Sequence, residues 1–207
     1  MTHRNINRLN YTDEFETIKK HVARYITLTN EEQEYFVSLL RIVKVRRKQS
    51  IVQPEFTCKY RSYVCNGAMR AYLIDKNANE HTIAFAIDDW WITDYNSYIF
   101  QLPATLFVEA LEQTTLIQLD YNAEQLLKES IPKFEKFFRI VTERAFAFLQ
   151  KRMLSMLSLT AEERYEDFVN KYPQIALRVP QYALASYLGM STEYLSKVRN
   201  NRVQKKS

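Results

Sequence analysis

Gln181-Tyr-Ala-Leu-Ala-Ser-Tyr-Leu-Gly-Met-Ser-Thr-Glu-Tyr-Leu-Ser-Lys-Val-Arg-Asn200 lies near the end of the chain and reads as two short helices hinged on Gly189. Where two helices turn sharply, glycine alone takes positive φ without strain. Ala185, one helical turn earlier, is small, as a close helix crossing requires. Leu184, Leu188, Met190, Leu195 and Val198 recur at helical spacing and supply a shared miniature core. Thr192, Glu193, Tyr194, Ser196, Lys197, Arg199 and Asn200 are left for the other faces of the second helix. A plain helical hairpin with a glycine turn would share part of this pattern. All the positions together predict a helix-turn-helix that reads duplex DNA.

Charge points the same way. The formal net charge is +5. From Arg178 onward stand Arg178, Lys197, Arg199, Arg202, Lys205 and Lys206 against the single acid Glu193, so the segment before them is formally neutral. A polyanionic partner would therefore be met by the carboxy-terminal thirty or so residues rather than by the whole surface. A solvated basic tail would also account for the charge alone, but not for its overlap with the helix-turn-helix. With 46% hydrophobic and 26% charged residues the composition is that of a folded globular chain. No apolar run approaches the ~20 residues of a membrane span, and Met1-Thr-His-Arg-Asn-Ile-Asn-Arg8 lacks the apolar core of a secretory signal. Cys58 and Cys65 make no CxxC site, and no neighbouring histidine completes a metal set. These features predict a cytoplasmic protein with reduced thiols and no membrane partner.

Organisation along the chain gives an α+β fold. The first forty residues read as helical, with Thr29-Asn-Glu-Glu32 as a capping box opening a helix through Tyr35, Phe36, Leu39 and Leu40. From about Arg41, β-branched segments around Val43, Val45, Ile51 and Val52 and from Tyr60 to Cys65 signal strands. Asn66-Gly67 is the strongest short hairpin signal, and Asp75-Lys-Asn-Ala-Asn-Glu80 a second turn before the alternating His81–Ile87. Ala104–Leu111 and Thr115–Leu119 follow an aromatic segment from Trp90 to Phe100. This pattern predicts an antiparallel meander closing into a small barrel or roll. Asn122-Ala-Glu-Gln125 suggests the cap of a short helix, and Ser130-Ile-Pro132 the start of a long one, with proline tolerated in its first turn. Along it Phe134, Phe138, Val141, Ala145 and Phe148 form a seam of heptad type, widened by Phe137, Phe146, Leu149 and Met153. Periodicity leaves open whether this helix centres its own domain or pairs with a second copy. Thr160-Ala-Glu-Glu163 is another capping box, for a helix ending near Lys171-Tyr-Pro173.

Roll, long helix and helix-turn-helix, in this order, resemble the cyclic-AMP receptor protein/FNR (Crp/Fnr) family of bacterial transcription regulators. The likeness is carried by Val64-Cys-Asn-Gly67 with Arg70-Ala-Tyr72, by Asn79-Glu80, and by Val179–Arg199. It implies a jelly-roll, cyclic-nucleotide-binding-like sensor domain over residues 1–130, a dimerisation helix over 131–158 and a DNA-binding domain over 159–207. The implied dimer seam is Phe134, Phe138, Val141, Ala145 and Phe148. Matched to the family motif, Thr192, Glu193 and Lys197 fall at base-reading positions, with Tyr194 and Ser196 as further candidates. A carboxylate there accepts from cytosine N4 and a lysine donates to guanine. Gln181, Tyr182, Arg199, Arg202 and Lys205 are the implied phosphate contacts. Partners implied are double-stranded DNA, a second copy and RNA polymerase.

Departures matter as much. Relatives that bind cyclic nucleotides carry a Gly-Glu-Leu turn followed by arginine, which neutralises a phosphate diester. Here Trp91-Ile-Thr-Asp94 and Leu102-Pro-Ala-Thr105 stand instead, with neither glycine nor arginine from Asp88 to Ser130. Asp94 would repel a phosphate, so no response to cyclic AMP in the usual manner is expected. Trp91, Thr93, Asp94, Tyr98 and Thr105 remain candidates to line a pocket for an unidentified small-molecule effector, and no cofactor is implied. Two cysteines cannot hold an iron–sulfur cluster, and residues after Arg199 are too few for a two-stranded wing. A cupin-like enzyme is the alternative reading, but His3, His21 and His81 are widely scattered. With glycine only at 67 and 189, phosphate-cradling loops are nearly excluded, and no enzymatic activity is expected. A protein-interaction module with a vestigial helix-turn-helix is the third reading.

Overall fold

The computed structural model describes residues 12–204. Two helices, α1 (Thr12–Ala23) and α2 (Asn30–Ser38), precede the strands β1 (Leu40–Val45), β2 (Ser50–Val52), β3 (Tyr60–Asn66), β4 (Ala68–Ile74), β5 (Glu80–Ile87) and β6 (Trp91–Ile92). Helix α3 (Tyr95–Phe100) then separates them from β7 (Phe107–Ala110) and β8 (Thr114–Asp120). The remainder is helical: α4 (Tyr121–Ser130), α5 (Lys133–Ser158), α6 (Ala161–Lys171), α7 (Pro173–Arg178), α8 (Gln181–Leu188) and α9 (Thr192–Gln204). Both capping boxes form, with Thr29 accepting from the Glu32 amide and Thr160 from the Glu163 amide.

The strands make a roll of two four-stranded antiparallel sheets, ordered β1-β8-β3-β6 and β2-β7-β4-β5. This corrects the expected meander. Alternation marks a strand's two faces, whereas its partners are chosen by contacts far along the chain. Asn66-Gly67 is corrected with it. The dipeptide does not close a hairpin, because β3 and β4 belong to different sheets. Gly67 carries the chain across the corner at φ +125°, and its amide donates to Asp88 Oδ1 at 2.8 Å. The hairpin between β4 and β5 is the polar turn Asp75–Asn79, where the Asp75 carboxylate accepts from the amides of Asn77 and Asn79.

Alternation in β8 and β5 divides the cores. Leu116 faces the interior of the roll with Val64, Met69 and Val108, while Ile117 and Leu119 face α1 and the start of α5. Ala86 likewise faces inward, and Phe85 and Ile87 meet Tyr165, Phe168, Leu184 and Tyr187 of the carboxy-terminal helices. The expected strand 104–111 is shortened because the amides of Thr105 and Leu106 donate to Asp94 rather than to a neighbouring strand. Helix α4 is capped by Asp120, which accepts from Asn122 and Ala123, and not by Asn122. The expected helix through Leu40 ends at Ser38, Leu39 serving as its C-cap and Leu40 opening β1.

Helix α5 changes face along its length. Phe134, Phe137, Phe138 and Val141 are buried within the subunit against β3, β8 and α1. The seam assigned to a second copy is therefore corrected at Phe134, Phe138 and Val141, and the half-buried Phe148 packs against Trp90 and Tyr172 of its own chain. Ala145 is likewise half-buried. The exposed apolar stripe lies one face around and further along: Phe146, Leu149, Met153 and Leu157, with Leu154 and Met156 beside it.

A buried cluster ties α1 to this frame. His21 Nδ1 stands 3.0 Å from Asp89 Oδ1, and His21 Nε2 accepts from Trp91 Nε1 at 3.2 Å, which places the ring proton on Nδ1 and leaves the imidazole neutral. Tyr63 and Arg24 also donate to Asp89. Burial pulls the His21 pKa below its ordinary 6.5, and Arg24 and Arg144 act in the same direction, against the pull of Asp89. The unfolded chain thus takes up a proton on this residue near pH 6.5, where the folded chain still resists it. Stability is expected to be complete above that pH and to fall below it, with a slope no steeper than about 1.4 kcal/mol per pH unit for one proton. Urea titrations from neutral to mildly acidic pH should show that decline in the native chain and a flatter profile in His21→Phe.

Candidate nucleic-acid interface

Gly189 ends α8 at φ +68°, the left-handed cap expected of it, and its amide reaches back to Ala185 and Ser186. Leu184, Ala185 and Leu188 on α8 and Leu195 and Val198 on α9 are buried together, so the two helices share the predicted miniature core. Ser191 is the cap of α9 that the sequence reading passed over; its hydroxyl accepts from the Tyr194 amide at 3.1 Å. The signal was present as a serine just ahead of the helical run.

On α9, Glu193, Tyr194, Lys197, Arg199 and Asn200 are exposed and Thr192 is half-buried. The Glu193 backbone amide and the Ser191 hydroxyl hold the Glu193 carboxyl below its usual range, so it is ionised at neutral pH. Two candidates are engaged elsewhere. Gln181 donates to Ser196, tying the start of α8 to α9, so neither side chain stands free of protein partners. Tyr182 leans on the roll, its ring 5.0 Å from Arg70 Cζ, rather than standing beside α9. Helix α9 continues through Gln204, and among the described residues no strand follows β8. The Arg202 side chain and Lys205 lie outside what is described.

Residues that fasten this unit to the roll were missed by sequence reasoning. Ser186 Oγ donates to Glu80 O and accepts from the Thr82 amide at 2.8 Å. Arg178 pairs with Asp88 and Glu112, and half-buried Arg152 of α5 donates to the carbonyls of Thr82, Ile83 and Tyr187. Burial lowers the Arg152 pKa. Nothing in spacing distinguishes these residues from ordinary surface polar ones.

Of the candidate effector residues, Tyr98 lines a cleft with Arg61 and Glu124, whereas Trp91, Thr93 and Asp94 are engaged in hydrogen bonds within the chain. Asp94 is 1% exposed; its Oδ1 accepts from the Ser97 amide at 3.1 Å, and its Oδ2 from Thr105 at 2.9 Å and Leu106 at 3.0 Å. Amides that could cradle an anion are thus filled by the chain's own carboxylate. Thr93 donates to Tyr60 O, Trp91 to His21, and Tyr98 to Glu124, while the Thr105 side chain is exposed. Trp91, Thr93, Asp94 and Tyr98 thus already have partners within the chain, which is the physical argument against Trp91, Thr93 and Asp94 as ligand-binding groups.

No family model and no curated protein matches the chain. Solved structures do. FixK2 from Bradyrhizobium japonicum superposes with a TM-score of 0.71 at 17% identity, over 80% of this chain and 85% of that one. CLP from Xanthomonas campestris, described as a c-di-GMP responsive global regulator, gives 0.68 at 13% identity over 86% and 93%. A protein of Eubacterium rectale described under the Crp/Fnr family gives 0.66 at 14% identity over 86% and 85%. The chain has the fold of these regulators, α+β with a β-roll, a long helix and a carboxy-terminal helical unit.

Proposed function

We propose that this chain is a Crp/Fnr-type transcription regulator, a non-enzymatic cytoplasmic protein that binds double-stranded DNA as a homodimer. The observation that carries the reading is α9, held at a left-handed Gly189 turn with Glu193, Lys197 and Arg199 exposed on it. Two such helices about 34 Å apart would enter successive major grooves. Thr192, Glu193 and Lys197 then face base edges, while Arg199 meets the phosphates, joined by Arg202 and Lys205. Residues 1–130 act as the sensor unit, 131–158 as the connecting and pairing helix, and 159–207 as the reader. Pairing uses the exposed α5 stripe beginning at Phe146. The Asp94 carboxylate, already holding three amides, argues against cyclic AMP in the usual phosphate seat. RNA polymerase is the partner through which such a regulator would act on transcription.

Selection of bound genomic fragments, followed by gel shift at low and moderate salt, tests the reading. Specific complexes should weaken steeply with salt, as phosphate neutralisation requires. Glu193→Ala is expected to relax base choice at one position by about tenfold while leaving affinity for random duplex unchanged. Equal losses on both duplexes would remove Glu193 from the base-reading set. Failure to retain any duplex in dilute buffer would overturn the function itself.

A further inference from the structure

Asp88-Asp89-Trp90-Trp91 carries the chain from β5 in one sheet to β6 in the other, and its side chains serve two sides of the molecule alternately. Asp88 and Trp90 meet the carboxy-terminal helices and the neighbouring α5. Asp88 holds the Arg178 guanidinium, with Nη2 3.3 Å from Oδ1, and the Trp90 ring stands edge-on to Tyr172 at 6.5 Å and Phe148 at 5.8 Å. Asp89 and Trp91 meet the amino-terminal side instead. Asp89 accepts from Arg24, from Tyr63 at 2.6 Å and from His21 Nδ1 at 3.0 Å, and Trp91 donates to the other nitrogen of the same imidazole. Two neighbouring carboxylates are thus neutralised from opposite ends of the chain, by Arg24 just beyond α1 and by Arg178 at the end of α7. The other charged groups at these contacts are Glu112, which shares Arg178, and Arg144 of α5, whose charge acts on His21. The backbone between the two carboxylates is strained: Asp89 lies at φ +74°, in the left-handed region. Its amide donates to Val64 O and the Val64 amide to Trp90 O, so the turn is also tied to β3. Such a conformation persists where the surroundings over-determine it, and here both sets of side-chain partners contribute.

We propose that residues 88–91 couple the seating of α1 to the docking of the carboxy-terminal helices on the roll, so that unseating α1 loosens α7 and α8. The two-state element is the Asp89 turn. Released from Arg24 and His21, Asp89 returns to the ordinary φ range, and the adjoining Asp88 carboxylate and Trp90 ring then leave Arg178 and Tyr172. Linkage makes the effect reciprocal, so undocking the carboxy-terminal helices loosens α1 by the same factor. Helix α9 is carried on α8 through the Gly189 turn, so the coupling reaches the exposed Glu193 and Lys197. Regulation of DNA reading in this way rests on the function proposed above; the coupling itself does not.

Hydrogen–deuterium exchange of the full chain, read by mass spectrometry over residues 12–24, 114–120 and 173–188, provides the test. Arg24→Gln removes an exposed side chain that pairs with Asp89, so the fold should survive it. Exchange over 173–188 is expected to quicken by about fivefold or more, the lower end of a usual coupling. Strand β8, residues 114–120, should keep the parental rate, which separates local release from a general loss of stability. Arg178→Gln should quicken 12–24 to a similar extent. The double variant should fall short of the product of the two single effects, because either loss opens the same turn. Arg24→Lys, which keeps the cation, should return the rates toward those of the parent. Arg139→Gln, which breaks an exposed ion pair with Glu143 on α5, should leave 173–188 unchanged. No nucleic acid enters these measurements, so their failure is distinct from a failure to bind DNA. Parental exchange over 173–188 in Arg24→Gln would overturn the proposal, as would fully multiplicative effects in the double variant.

Discussion

Gly67→Ala is expected to unfold most of the chain under conditions where the parent is stable. At φ +125° an L side chain is strained whatever the space around it, and here there is no space. A Cβ on residue 67 would stand 2.3 Å from Thr114 Oγ1, 2.6 Å from its Cβ and 2.7 Å from its Cα. Thr114 cannot retreat: it is 1% exposed, it pairs with Val45 in the β1–β8 ladder, and its hydroxyl donates to Glu112 O. Backbone strain of about 1–3 kcal/mol and overpacking of about 1–3 kcal/mol then act together. Their sum is a large part of the ~5–15 kcal/mol that stabilises a typical domain. Gly189→Ala is the internal comparison. Its φ is +68°, and the nearest atom to a new Cβ is Met156 Cε at 2.8 Å, the free end of a flexible side chain. It should lose only about 1–2 kcal/mol, read as a shift in urea midpoint at constant slope. A smaller loss for Gly67→Ala than for Gly189→Ala would show that the corner is not built as described. Pairing Gly67→Ala with Thr114→Gly should recover only the clash with Oγ1 and Cβ, leaving the 2.7 Å approach to the Thr114 Cα and the backbone strain.

Those two glycines also show which parts of the molecule are legible in its sequence. Gly189 is legible because everything that fixes its turn lies within one helical hairpin: Ala185, Leu188, Leu195 and Val198. Gly67 is legible as a turn but not as the corner it makes, because the residue it packs against is Thr114, reached only after five intervening elements. The same divide runs through the candidate site. Exposed residues of α9 follow from local periodicity, as do the capping boxes at Thr29 and Thr160. Asp94 is different. Its negative charge was legible as unsuited to phosphate, but not its occupation of three amides, two of them beyond α3. Arg152 and Ser186 were silent, since their partners are backbone carbonyls and amides, which any sequence supplies. Arg61 and Glu124 meet across the fold from β3 to α4, and no spacing announces such a pair.

Met153→Glu together with Leu157→Glu is expected to convert the proposed dimer to a monomer while leaving the fold intact. The apolar periodicity of α5 runs almost all round the helix, so one seam could not be told from another until burial separated them. Phe134, Phe137, Phe138 and Val141 seat the first half on the roll. Beyond Ala145 the inward load shifts to Phe148 and Arg152, while Phe146, Leu149, Met153 and Leu157 turn to solvent. Met153 is 59% exposed and Leu157 80%, so glutamates there disturb little within the subunit. In a two-fold pair the same residues face each other, and four carboxylates would be brought together without cations to balance them. Light scattering after gel filtration at micromolar concentration should report the monomer, with an unchanged melting temperature for the isolated subunit. Affinity for a palindromic duplex should fall by about 10²–10⁴, the loss of bivalency, with little change on a single half-site. Phe138→Ala provides the opposite pattern. It should remove about 3–5 kcal/mol of stability, because Phe138 is 3% exposed and packed beside Trp91 and Arg61, with no direct effect on pairing. A dimer that survives both glutamates would place the second copy on another face of the molecule.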